Sequence, residues 1–196
     1  MGWSSVEAAE LAGVPKRTVQ EWRKTGFFVP ALPEEVTGHP QGELYSLGDV
    51  VALRVMRMLL ACGVEREVVA RAGEEVPGFD EEACTFVGFR GMVAAGSGPL
   101  WCMVPMSVEL LEPIDDETGE DDGTLLRFFD TDSVDQIVAS DETKRWRDGM
   151  VVWCTPEHGD VALWFGFGEV AGEVIAKADQ WRRQRRILLK QWPPWM

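Results

Sequence analysis

Near the start of the chain two short amphipathic segments are separated only by Ala12-Gly13-Val14-Pro15, and this punctuation limits the fold more than any other feature. Ser4-Ser5-Val6-Glu7 has the capping-box spacing, in which the Ser4 hydroxyl accepts from the Glu7 amide and the Glu7 carboxylate accepts from the Ser4 amide. A helix is predicted to begin there, with Val6, Ala9 and Ala12, three residues apart, on its inner face. Gly13 can supply the positive φ of a sharp turn, and Pro15 suits the first turn of a following helix, where its missing amide costs nothing. That second helix carries Val19 and Trp22 inward and stops at Gly26. Two short helices joined by a glycine-containing turn make a helix-turn-helix, whose second helix normally enters the DNA major groove.

The outward residues of the second segment are Lys16, Arg17, Thr18, Gln20, Glu21, Arg23 and Lys24. Arg and Lys can engage phosphates or guanine edges, and Gln can pair with adenine through two hydrogen bonds. A solvated helix face has the same composition, so the neighbouring pattern decides between the two. Phe27-Phe28-Val29-Pro30 leads into a loop rich in Pro, Glu and Gly that runs to Leu44-Tyr45. Ser46-Leu47-Gly48-Asp49 repeats the capping-box spacing ahead of a third helix with Val50, Leu53, Met56 and Leu60 on one face, stopped by Gly63. A fourth helix from about residue 65 carries Val68, Val69, Ala72 and Val76.

In this order the pieces resemble the MerR family over about 75 residues. They are Val6-x-x-Ala9, Ala12-Gly13-Val14-Pro15, Arg17-Thr18-Val19, Trp22 through Phe27, Pro30, Tyr45-Ser46-x-x-Asp49-Val50 and Leu60-x-x-Gly63-Val64. The resemblance implies a winged helix-turn-helix over residues 1–76, double-stranded DNA as partner, and a homodimer on inverted half-sites. It also implies a contact set of Lys16, Arg17, Thr18, Gln20, Arg23, Lys24 and Tyr45, with the wing after Pro30 gripping the backbone. Two departures stand out. Relatives place arginines in the wing before the tyrosine, whereas Gln41-Gly42-Glu43-Leu44 stand here, and Pro77-Gly78 breaks the chain where a long dimerisation helix would follow.

Beyond that break the sequence turns acidic. Formal net charge is −14, of which residues 1–77 hold 8 Lys/Arg against 11 Asp/Glu and residues 78–196 hold 11 against 22. The deterrent to phosphate binding therefore belongs mainly to the second part. Residues 84–95 and 100–111 read as strands flanking a hairpin loop at Gly96-Ser97-Gly98-Pro99, with further strands at 125–129, 150–155 and 160–167, the last two joined across 156–159. Residues 132–147 read as a helix with Val134, Ile137 and Val138 inward. The fold class expected is α+β, a mostly helical N-terminal unit followed by a mixed domain with an antiparallel sheet over 79–168 and a C-terminal amphipathic helix over 169–192.

The stripe Ala171, Val174, Ala178, Trp181, Leu188 and Trp192 on that last helix suits either a subunit interface or packing on the chain's own sheet. Its other face bears Arg182, Arg183, Arg186 and Lys190, for which membrane, DNA or the chain's own acidic residues are candidate partners, internal or intersubunit pairing being preferred. The acidic run 115–123 lacks the spacing of a calcium loop and reads as a solvated segment. Trp101, Trp146, Trp153 and Trp164 read first as core, second as the lining of a pocket for a planar effector. Cys62, Cys84, Cys102 and Cys154 form no C-x-x-C pair and read as reduced thiols, with only His39 and His158 to complete a metal site.

No nucleophile–base–acid pattern, phosphate-binding glycine loop or metal cluster is present, so neither catalysis nor a cofactor or metal is expected. No stretch is apolar enough to span a membrane and no basic-then-apolar leader opens the chain, so a cytoplasmic protein is expected. The leading function is a sequence-specific DNA-binding transcriptional regulator whose second domain takes a small-molecule effector or a protein partner. A DNA-bending, excisionase-like recombination factor and a protein-interaction module that inhibits a partner remain open.

Overall fold

The structure is a computed structural model that describes residues 2–30, 45–75, 78–80, 85–87, 93–94, 101–107, 127–129, 143–145, 151–155 and 159–191. The wing segment 31–44, the acidic run 115–123, the loop 96–99 and most of the predicted helix 132–147 lie outside the described residues.

Helix α1 (Ser5–Ala12) starts at the Ser4 capping box: the Glu7 carboxylate accepts from the Ser4 amide at 2.9 Å and the Ser4 hydroxyl accepts from the Glu7 amide at 3.4 Å. It ends on Gly13 at φ 65°, a left-handed conformation that only glycine takes without strain. The inner face differs from the expected one. Ala8, Ala9, Leu11 and Ala12 are buried, while Val6 is 48% exposed, because an i, i+1, i+3, i+4 set rather than a strict three-residue step tracks one side of a 3.6-residue helix. Pro15 occupies the N-cap of α2 (Lys16–Lys24), which ends at Thr25 and Gly26, the latter at φ 69°.

Helix α3 (Leu47–Ala61) begins at the second capping box, with Asp49 accepting from the Ser46 amide at 2.7 Å and the Ser46 hydroxyl accepting from the Asp49 amide at 3.0 Å. Ten of its fifteen residues are buried, so it is the central rod of the N-terminal unit, packed on α1 and on α4 (Arg66–Glu75). A helix apolar on nearly all sides must be covered on nearly all sides. The third cover is supplied by the far end of the chain.

Two antiparallel sheets follow. Strands β1 (Gly78–Asp80), β2 (Thr85–Val87) and β3 (Val93–Ala94) form the first, in that order. The second has the order β5-β4-β8-β7-β6, built from β4 (Trp101–Pro105), β5 (Arg127–Phe129), β6 (Thr143–Arg145), β7 (Val151–Thr155) and β8 (Gly159–Gly166). The expected hairpin across 96–99 is therefore corrected: β3 and β4 belong to different sheets, β3 pairing with β2 and β4 with β5 and β8. A glycine-rich loop marks a change of direction, but which neighbour a strand pairs with is set by long-range packing. The expected helix 132–147 is also corrected at its end, where residues 143–145 are the edge strand β6, paired with β7. Both edge strands have only three residues and β6 carries Lys144 and Arg145, features that discourage edge-to-edge association. The β7–β8 hairpin across 156–159 is as expected, with a register shift at Trp153/Cys154.

Strand β8 is central and its run Ala162-Leu163-Trp164-Phe165 is buried on both faces. Leu163 and Phe165 stand opposite Val104 and Cys102 of β4, and these four side chains join the core that contains α1, α3 and α4. A backbone bond of 2.9 Å from the Glu65 amide to the Met106 carbonyl ties the α3–α4 turn to the end of β4.

From Gly166 the chain passes without a loop into helix α5 (Phe167–Gln191), about 37 Å long. The part of its stripe with described side chains packs within the chain, and not on the sheet alone. Ala171, Val174 and Ala178 are buried, and the helix packs on α1, α3 and β4 of its own chain. Trp181 meets Trp3 edge-on with ring centroids 6.4 Å apart, Arg185 pairs with Glu7, and Arg54 of α3 pairs with Glu173 at 3.5 Å. The buried part of the stripe, Ala171, Val174 and Ala178, covers the side of α3 that would otherwise be left open.

Candidate nucleic-acid interface

Helix α2 is held by its buried Val19 and Trp22, which leaves the rest of its circumference to solvent. Trp22 stacks edge-to-face on Phe27 at 5.3 Å, anchoring the turn after the helix. Thr25 closes that turn by donating its hydroxyl to the Glu21 carbonyl at 2.9 Å. Lys16, Arg17, Gln20, Glu21, Arg23 and Lys24 are exposed, and Thr18 is half-buried. Four cations against one carboxylate thus share the exposed side of a nine-residue helix packed on α1. Such a face can neutralise phosphates and present donors to base edges, with Gln20 and Thr18 able to add uncharged hydrogen bonds.

Tyr45, expected among the DNA contacts, is not on this surface. It is 1% exposed, lies parallel to Phe28 at 6.2 Å, and forms a two-way backbone bridge with Trp3, both bonds 2.8 Å long. Its ring closes the core at the foot of the segment 31–44, a packing role that removes it from the contact set. The other six residues of that set lie together on α2, five exposed and Thr18 half-buried.

Sequence reasoning missed Arg54, Arg57 and Arg66, cations that reach the module from other elements, and gave no place beside it to Arg182, which it had named on the last helix. The Arg66 guanidinium at the start of α4 sits 4.0 Å from the centroid of the Phe27 ring, next to the end of α2. Arg54 and Arg57 of α3 flank the helix-turn-helix corner, where a Cβ on Gly13 would stand 3.4 and 3.8 Å from their Nη1 atoms. Arg182 of α5 lies over Trp3 at 5.7 Å. None of these has a local signature, because each is delivered by tertiary packing across tens of residues. Among the described residues no group of three or more His, Cys, Asp or Glu could hold a metal ion, and no helix is long and apolar enough to cross a membrane. Cys62 is half-buried and Cys102 buried, neither in a disulfide, and Trp164 is buried in the sheet.

A glycine-hinged pair of short helices, the second rigid and basic, defines the helix-turn-helix class of DNA-binding modules. Residues 4–73 match the family described as MerR HTH family regulatory protein, so this region is similar to a MerR-type helix-turn-helix, which supports a DNA-binding transcriptional regulator. Among curated proteins, none matches the chain.

Proposed function

We propose that this protein is a cytoplasmic, non-catalytic regulator that reads a specific duplex sequence through α2 and responds to a small molecule or protein partner through its sheet domain. The observation that carries the reading is the exposed Lys16, Arg17, Gln20, Arg23 and Lys24 face on a helix whose other side is locked by Val19 and Trp22. One such helix buries too little surface for tight specific binding, so two copies act on an inverted repeat. The subunit contact lies elsewhere than Ala171, Val174 and Ala178, which are already covered. An effector role for the sheet is supported by continuity: β8 runs into α5, and α5 packs on α1 and α3, so a displacement of the strand reaches the reading module.

Selection of duplexes from a random pool identifies the operator. On that site Arg17→Ala is expected to lose about 1–3 kcal/mol and relax preference at one base position. Lys24→Ala should weaken all sequences alike, as a phosphate contact does. Binding that is unchanged in both variants removes α2 as the reading element.

A further inference from the structure

We infer that the arginine-rich stretch of α5 is a second DNA-backbone contact, gripping phosphates beside the helix-turn-helix in place of the wing. The inference rests on the DNA-binding reading above and adds a surface to it. Segment 31–44, where relatives carry wing cations, contains no Lys or Arg and three Glu, namely Glu34, Glu35 and Glu43. A module with that sequence must find its backbone grip elsewhere, because neutralised phosphates supply most nonspecific affinity.

The densest cationic stretch in the chain is Arg182-Arg183-Gln184-Arg185-Arg186, four guanidiniums in five residues of a protein with net charge −14. Its placement is set by two contacts to the amino end of α1. Arg182 lies over Trp3 and is also 3.5 Å from Asp179, and Arg185 pairs with Glu7, cancelling the one carboxylate in the first turn of α1. In a helix-turn-helix complex the first helix crosses the phosphate backbone. The stretch is thus fastened to the element that crosses the backbone, and the anionic group that would repel it is neutralised. Arg183 and Arg186, on the flank away from the buried stripe, are exposed and carry no ion pair among the described residues. The charge complementarity is with a polyanion, and a duplex whose backbone α1 crosses is the polyanion that such a placement fits.

The test measures binding of the full chain to a short mixed-sequence duplex by fluorescence anisotropy from about 50 to about 200 mM salt. Two lost phosphate contacts should reduce the slope of log K against log salt by about 1.8 in Arg183→Ala/Arg186→Ala and weaken binding roughly tenfold or more. The urea midpoint should be unchanged, since neither side chain is packed, and Lys177→Ala, exposed on the opposite flank, should leave the slope as it is. An unchanged slope in the double variant, with Arg17→Ala and Lys24→Ala still weakened, overturns this inference alone and leaves the arginines to the chain's own acidic residues. If the intact protein binds no duplex, the inference falls together with the function it rests on.

Discussion

Ala178→Asp is expected to destabilise the protein by on the order of 4 kcal/mol or more, most of the stability of a domain at the low end of the usual range of about 5–15 kcal/mol. Ala178 is 0% exposed, at the face where α5 meets α1 and α3, and a carboxylate there would be buried among Ala171, Val174 and Trp181, with Arg182, four residues on, already engaged by Asp179 and Trp3. Urea denaturation reads the result directly: the midpoint should collapse, or the variant should be recovered only as aggregate. Ala178→Ser, which adds one hydroxyl to the same site, should cost far less. A midpoint for Ala178→Asp equal to that of the parent would mean that α5 is not docked on the N-terminal unit, and would restore the stripe as a free surface for a second subunit.

Trp3→Ala should cost about 3–5 kcal/mol, the usual toll for removing a buried tryptophan. Trp3 is 1% exposed and gathers three parts of the fold: its backbone pairs with Tyr45, its ring meets Trp181 edge-on, and Arg182 lies above it. Loss of the ring removes the seat of α5 as well as core volume. Thermal melting followed by the remaining tryptophans should show a lower, broader transition. A variant as stable as the parent, with Arg185 still held on Glu7, would show that the aromatic contact is incidental.

The features legible in the sequence are those whose cause is local. The capping boxes at Ser4/Glu7 and Ser46/Asp49 and the turns at Gly13, Gly26 and Gly63, with φ of 65°, 69° and 87°, depend on atoms within a few residues of one another, and they stand where the spacing put them. The exposed cations of α2 were legible for the same reason, since Val19 and Trp22 fix the helix phase. What a pattern cannot carry is the identity of a distant partner. The apolar stripe of α5 was plain, but whether it covers a sheet, another subunit or α3 depends on how much of α3 the rest of the chain leaves open. Tyr45 looked like a contact because its neighbours in sequence belong to the wing, yet its partners Trp3 and Phe28 come from the other side of that loop. Strand 143–145 carries no strand signature of its own, because three residues are too few to show a period of two.

The seat of α5 beside Trp3 sets an order of events during synthesis. Helices α1 and α3 leave the ribosome early, whereas the helix that covers them is complete only at about residue 191. At translation rates of about 5–20 residues per second, the nascent module would wait on the order of ten seconds or more with the faces of α1 and α3 that α5 covers still open. For that interval the reading module would be born open, a natural client for chaperones. Ribosome-arrested chains ending before Phe167 should be cut readily by protease within α3, and chains long enough to present all of α5 should resist; equal resistance in both would show that the N-terminal unit closes without its last helix.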